Sequence, residues 1–326
     1  MNQLRHYIRL SELSQNYPRY AGFRYSCLSL MRPRTWVIAA STFFFAYSLS
    51  GNLIPWKAAL GIIICMMTTG SANLMNAYTD KVEDATNQPS RALLLETMGL
   101  GKVRKVLFLL YSLIFALSTF LGFFFFIVTF LAVLDSIFYS LPPFRFKSNV
   151  ISGMVAFTGV VALSFIAGWI LSNPIIDIHP LFYVVSYFFF TYSAFKNIPD
   201  YIGDRKANLR TLMTVAHNYK QGVIMSYILL ISSYFLPTIF MALQLLSAKY
   251  IFMLLLLPVL VYNGYLTAKA RSTAEMEKLH SYGFLYGVTF LMMIFFISVP
   301  TIESFVAITF FYTLILLAKT MRLDSR

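Results

Sequence analysis

Acidic residues are scarce in this chain. Its 326 residues hold 13 Asp and Glu against 26 Lys and Arg. Charged residues amount to 12%, about half the share found in a soluble domain, while 58% of the chain is hydrophobic. That balance excludes an ordinary water-soluble domain. Cysteine is also sparse. Cys27 and Cys65 are too few for a disulfide framework, and Cys65 lies inside an apolar run. No metal–thiolate or haem-attachment motif occurs. The first 34 residues contain no apolar run long enough for a signal peptide. They do carry Arg5, Arg9, Arg19, Arg24, Arg32 and Arg34. A mitochondrial transit peptide shares that composition; a cytoplasmic arm is the simpler reading. A net charge of +13 would suggest nucleic acid in a soluble protein. Here the basic residues flank apolar runs, so they read as topology signals and no nucleic-acid partner is expected.

Apolar sequence is what the chain has in plenty. A span needs about 20 apolar residues. Candidate runs begin near Thr35, Pro55, Val106, Phe123, Val150, Leu181, Gly222, Tyr250, Tyr282 and Ile302, with Gly122 breaking a stretch too long for one helix. The pattern predicts an all-α polytopic transmembrane bundle, nine to ten helices around a central cavity. A basic arm covers 1–34, the main domain 35–300, and an extra span with a basic tail 301–326. The last run is either an appended span or, with its predecessor, one broken or re-entrant element. The charged stretches Asp84–Lys105 and Lys269–His280 read as loops. With the N-terminus inside, alternating loops leave only Lys57 and Lys249 on the outer face, a strong inside-positive bias. The first four and next four spans would then form a weak parallel repeat.

Two polar clusters end apolar runs. The first is Asn76-Ala77-Tyr78-Thr79-Asp80-Lys81-Val82-Glu83-Asp84, closing the second run; the other is Lys196-Asn197-Ile198-Pro199-Asp200-Tyr201-Ile202-Gly203-Asp204-Arg205, closing the sixth. Asn76, Asp80 and Asp84 are spaced four apart, as are Asp200 and Asp204, so each set stacks on one helix face. These stretches hold five of the 13 acidic residues: Asp80, Glu83, Asp84, Asp200 and Asp204. A carboxylate at membrane depth costs about 2.5–3.5 kcal/mol on insertion scales, so a bound cation is the expected reason for keeping them. Oxygen-only donors suit Mg²⁺, which usually binds through carboxylates plus substrate phosphates. Solvated helix ends at the membrane surface are the alternative. Arg91, Arg145, Lys147, Lys196, Arg205 and Lys206 share that face and could hold phosphate oxygens. The inside-positive rule accounts for any one of them alone. Lys147 and Arg145 stand out because the Pro142-Pro143 pair fixes a turn before them. A diphosphate at the membrane surface, with an aromatic bundle behind it, points to an isoprenoid diphosphate. Mg²⁺ would make the diphosphate a better leaving group, aromatic faces would stabilise the allylic cation, and an electron-rich acceptor would attack it.

These residues resemble the UbiA superfamily of intramembrane prenyltransferases. Its pattern is Asn-Asp-x-x-Asp-x-x-x-Asp after the second helix and Asp-x-x-x-Asp after the sixth. Further matches are Arg32-Pro33, Asn87-Gln88-Pro89-Ser90-Arg91, Tyr139-Ser140-Leu141-Pro142-Pro143 with Lys147, and Gly203-Asp204-Arg205-Lys206 before Arg210-Thr211-Leu212. The likeness covers about residues 30 to 300. It implies that Asn76, Asp80, Asp84, Asp200 and Asp204 bind two Mg²⁺ ions that bridge to the diphosphate. It also implies that Lys147 and Tyr139 contact the diphosphate or the cation, and that Arg91 and Arg205 support the phosphates. The implied activity is Mg²⁺-dependent prenyl transfer from a prenyl diphosphate to an aromatic, phenolic or quinone-precursor, acceptor within the bilayer. Ala77 departs from the usual first Asp, and Asn197 stands where many members have Asp.

Other readings compete. A terpene cyclase on the same scaffold would need no acceptor. A transporter or channel would place its carboxylates near the bilayer midplane. Ala77 raises the case of a pseudoenzyme. Asp135, one turn before Tyr139 in the fourth apolar helix, should face the bundle interior. It is expected either to hydrogen-bond Tyr139 or another hydroxyl, or to orient or deprotonate the acceptor. His217 reads as a loop residue. The Met residues and Phe123–Phe126 read as lipid-facing or core.

Overall fold

The computed structural model describes residues 22–270 and 272–323. Arg5, Arg9 and Arg19 of the expected basic arm, and Arg271 and Arg326, lie outside the described residues. Every regular element among those described is helical. The chain begins with α1 (Phe23–Met31), which ends where Arg32 takes a left-handed φ of 54°. Pro33 then opens α2 (Pro33–Ser48) at the position where a missing N–H costs nothing. α3 (Pro55–Thr79) starts on a proline in the same way.

The stretch expected to be a loop after α3 is helical: α4 (Lys81–Asn87) and α5 (Pro89–Met98) lead into α6 (Leu100–Thr119). Pro89 restarts the helix after Gln88, and Gly99, at φ 80°, ends it. Gly122 separates α6 from α7 (Phe123–Ser140) at φ 105°, the break expected from the sequence. Then come α8 (Val150–Trp169), α9 (Leu181–Lys196), α10 (Tyr201–Lys206), α11 (Leu212–Val215), α12 (Tyr219–Ser232) and α13 (Phe235–Ala242). A 3-10 stretch Ala248–Leu256 feeds α14 (Leu257–Lys269). α15 (Thr273–Ser298) begins well before Tyr282 because Ser272 accepts from Glu275 N and caps it. The second expected loop is therefore mostly helix. The last run forms its own helix, α16 (Ile302–Thr320), not a broken half of α15.

Among the described residues, seven helical segments are long and apolar enough to cross a membrane. α2 and α9 have 16 residues each, roughly 24 Å at helical rise. Both are inner helices. Phe43, Phe45 and Tyr47 of α2 are completely buried, as are Phe188 and Phe189 of α9. α2 packs against α3, α8, α15 and α16. Its approach to α8 is so close that a Cβ on Gly168 would lie 2.2 Å from the Phe43 carbonyl oxygen. Small residues set such helix–helix distances in membranes. Phe108, Phe120, Phe123, Phe124 and Leu255 are exposed on the outside, whereas Phe125 enters the core.

Many polar side chains within the spans find partners nearby. Ser41, Thr42, Ser48, Thr68 and Thr69 donate to carbonyls of their own helices. Between helices, Tyr227 donates to Asn263 Oδ1 at 3.0 Å, Tyr187 pairs with Ser232 at 3.0 Å, and Tyr234 pairs with Tyr286. Water is absent at that depth, so each such bond removes a costly unmet group.

Overpacking a helix crossing costs about 1–3 kcal/mol. Gly168→Ala should therefore lower the melting temperature in detergent, because a backbone oxygen blocks the new methyl. Gly101→Ala meets open space and should leave the melting temperature unchanged or raise it.

Candidate active site

The carboxylate clusters meet in space. α4 packs against α10, so the helical turns that follow α3 and α9 lie side by side. Asn76, Asp80, Asp84, Asp200 and Asp204 all line one cavity, about 240 Å³ in volume. Glu83, Gln88, Arg91, Asp135, Tyr139, Lys147 and Lys196 line it too. The fourfold spacing seen in the sequence is what turns Asn76 and Asp80 inward from the last turn of α3.

Three carboxylates are held by cations. Lys147 Nζ donates to Asp80 Oδ1, and Arg145 pairs with Glu83 while lying 3.9 Å from Asp80. Arg91 Nη1 sits 3.2 Å from both oxygens of Asp84, and its Nη2 donates to the Asn73 carbonyl at 3.1 Å. Arg91 is 2% exposed and Asp84 4%, so this pair is dry. Thr79 Oγ1 also donates to Asp80 Oδ1 at 3.0 Å.

Lys147 reaches Asp80 from the turn after α7. There Arg145 N donates to Leu141 O, closing the turn that the two prolines introduce. Phe146–Ser148 then forms a 3-10 turn. Arg210 N donates to Ser148 O at 3.3 Å, tying this loop to the segment after the second cluster. Burial pushes the Lys147 ammonium down to about 7, with Asp204 and Asp200 opposing the shift and Lys196 adding to it.

Lys196, the last residue of α9, donates to the Tyr139 hydroxyl at 2.6 Å. Its ammonium lies 4.3 Å from the Phe157 ring centre and 4.8 Å from that of Tyr139. The Tyr139 hydroxyl is thus engaged by Lys196, not by Asp135, which corrects the expected Asp135–Tyr139 bond. Arg205 is also displaced from its expected place. It is exposed, its Nη1 bonds the Tyr201 hydroxyl at 2.7 Å, and it does not line the cavity. Ala77 is fully buried in a separate apolar cluster with Leu30, Leu94 and Leu95. The missing Asp at this position therefore takes no ligand from the cavity wall. His217 is exposed in a loop.

The opposite wall was not foreseen. Arg34 at the start of α2 donates to Ser281 Oγ at 3.2 Å and lies 4.6 Å from the Phe284 ring centre. His280 stacks on Phe195 with ring centres 5.1 Å apart. Arg34, His280 and Phe284 all line the cavity. Gln88 donates to Asp200 Oδ1 at 3.5 Å, linking the two clusters. Gln88 falls within a stretch that carries the family likeness; Arg34 and His280 had no local signal.

The donor set is all oxygen, from three carboxylates and an amide on α3–α4 facing two carboxylates around α10, which is what a hard divalent cation takes. Among the described residues, no three His, Cys, Asp or Glu side chains converge closely enough to hold one ion by themselves. A cation bridging these walls would need further oxygens from a substrate.

A model of the UbiA prenyltransferase family matches residues 36–288. This chain belongs to the UbiA prenyltransferase family. It is a prenyltransferase of that family, and α16 lies outside the matched residues. Two archaeal proteins named digeranylgeranylglyceryl phosphate synthase are similar to it. The one from Methanosphaera stadtmanae is 24% identical over 262 residues, covering 78% of this chain and 92% of its own. That from Methanothermobacter thermautotrophicus is 26% identical over 235 residues, covering 70% and 80%. Among solved structures, a UbiA homolog from Archaeoglobus fulgidus bound to DMAPP and Mg²⁺ superposes with a TM-score of 0.61 at 17% identity, covering 82% of this chain and 99% of that one. A structure described for digeranylgeranylglyceryl phosphate synthase in membranes gives the same score and identity over 86% of this UbiA chain.

Removing one partner of a buried ion pair costs about 3–5 kcal/mol. Lys147→Met should therefore lower the melting temperature of the UbiA chain, and Asp80→Asn added to it should recover part of the loss. Full additivity of the two losses in a double-mutant cycle would show that the pair does not couple.

Proposed function

We propose that this protein transfers an isoprenyl group from a prenyl diphosphate, with Mg²⁺, to a hydroxyl-bearing acceptor that also carries an anionic group. The observation that carries this reading is the meeting of both carboxylate clusters on one cavity with Lys147, Arg91 and Lys196. Asn76, Asp80, Asp84, Asp200 and Asp204 would hold the metal. Bound there, Mg²⁺ neutralises the diphosphate oxygens and makes them a better leaving group. Lys147 and Arg91 exchange a carboxylate for a phosphate oxygen as the donor enters. The C1–O bond breaks with its electron pair on the diphosphate. The rings of Tyr139, Phe157 and Tyr192 face the developing allylic cation. The apolar walls exclude water that would otherwise capture it.

The second wall supports the anionic acceptor. Arg34 and His280 line the cavity with Phe284, on the α2–α15 side of it, where they would meet a polar group of a second substrate. Two acceptor classes share that chemistry. One is a phenolic acid or quinone precursor, favoured by the stacked Phe157 and Tyr192, 6.4 Å apart. The other is a glyceryl phosphate lipid, favoured by the names of the archaeal relatives. A cyclase reading lacks a role for this wall.

The N-terminus and both cluster-bearing loops are read as cytoplasmic. A cysteine at 102 in a Cys27→Ser, Cys65→Ser background should react with a membrane-impermeant thiol reagent from the cytoplasmic side, and one at 57 from the other. Reversed labelling would overturn the orientation.

Diphosphate release from farnesyl and geranylgeranyl diphosphate should depend on Mg²⁺, and Asp80→Ala and Asp200→Ala should each lower it by about 10²–10³-fold. Adding 4-hydroxybenzoate or geranylgeranylglyceryl phosphate separately identifies the acceptor. Hydrocarbon or alcohol products as the main outcome, formed equally with and without acceptor, would favour a cyclase instead.

A further inference from the structure

One cavity carboxylate stands outside the ion-pair cluster. Asp80, Glu83 and Asp84 are each held by Lys or Arg, and Asp200 accepts from Gln88. Asp135 on α7 makes no hydrogen bond or ion pair with the described residues. It lies at the mouth between two cavities. The first is the polar cavity described above. The second is smaller and apolar, walled by Ala39, Cys65, Phe125, Leu163 and Ala167. Thr69, Ala72, Asp135, Ser136 and Val160 line both. Around the second cavity, Thr68, Thr69, Ser136 and Ser164 donate to carbonyls of their own helices. Asp135 is the carboxylate at that boundary.

The neighbouring helix makes room for it. A Cβ on Gly159 of α8 would lie 2.5 Å from Asp135 Oδ2. The carboxylate therefore rests directly on the α8 backbone, and any larger residue there would displace it. A carboxylate kept unpaired inside a membrane bundle is expensive and is retained for use. The ion-paired carboxylates are poor bases, because their lone pairs are spent on cations. Asp135 is one helical turn from Tyr139 and lines the polar cavity as well as the smaller apolar one, about 50 Å³ in volume. A donor whose diphosphate lies among the carboxylate clusters would bring its C1 into the cavity that Asp135 lines.

We propose that Asp135 is the proton acceptor for the attacking hydroxyl. This rests on the transfer reading above. The acceptor oxygen forms its bond to C1 of the prenyl group, the C1–O bond to diphosphate breaks with its electron pair on the diphosphate, and the hydroxyl proton passes to an Asp135 oxygen. The same step serves a glyceryl hydroxyl or a phenol attacking through oxygen.

The test uses the full-length protein with Mg²⁺ and geranylgeranyl diphosphate. Diphosphate release without acceptor is measured beside product formation with geranylgeranylglyceryl phosphate or 4-hydroxybenzoate; the productive arm identifies the acceptor source. For Asp135→Asn, release without acceptor should stay within about twofold of wild type while product formation falls about 10²–10⁴-fold, the usual size of a general-base contribution. Asp135→Glu should regain part of the product. Gly159→Ala, which keeps the carboxylate but moves it, should also lower product formation with release retained. Product at the wild-type rate from Asp135→Asn would overturn the proposal. So would equal loss of both activities in an Asp135→Asn protein with a wild-type melting temperature, since that places Asp135 on the donor side. Failure of the transfer reading is visible separately, as no Mg²⁺-dependent release from wild type with either acceptor or without one, and it removes the proposal as well.

Discussion

The structure depends on keeping negative charge inside an apolar bundle. A carboxylate loses its hydration there, and only a close cation or several hydrogen bonds can compensate. The chain meets this by pairing Asp80 with Lys147, Glu83 with Arg145 and Asp84 with Arg91. Those cations come from different parts of the sequence, so the pairs join α3, α4, α5 and the turn after α7.

The pairing also shapes chemistry. In the proposed reaction, each cation beside a carboxylate would turn to a phosphate, and the carboxylate so released would turn to a metal. Such an exchange would keep the net charge of the cavity near balance as an anionic donor and a divalent cation entered together. Rigid helices hold the exchange partners. α2 sits in the centre and touches α3, α8, α15 and α16, with glycines at the closest crossings. Phe157 and Tyr192 stack 6.4 Å apart and line the cavity, and Phe188 and Phe290 stack in the buried core.

Helix ends carry the site. Lys196 closes α9, Asp80 closes α3, and Lys147 lies just beyond α7. Backbone polarity and solvent access change sharply at such points, and charged groups are cheapest there while still near the apolar interior. Asp135 is the exception. It stands a turn inside its helix, and the chain accommodates it through a glycine on α8 and not through a partner.

The sequence alone determined much of this. Apolar runs of span length dictated helices, because no other structure satisfies the backbone in lipid. Gly122 and the prolines marked breaks, because those residues act locally. Asn76, Asp80, Asp84, Asp200 and Asp204 were readable as one site, because fourfold spacing shows on the chain itself. Other features arose only from tertiary structure. The expected loop after Asp84 is two helices, since packing of α4 on α10 and of α5 on α1 stabilises segments with little apolar periodicity of their own. Arg205 turned outward and Ala77 faced a separate core, because the side a residue presents depends on which helices surround it. Arg34 and His280 became cavity walls because residues more than 240 positions apart were brought together through α2 and α15. Local sequence carries periodicity, caps and breaks; which charges meet is settled by how the helices cross.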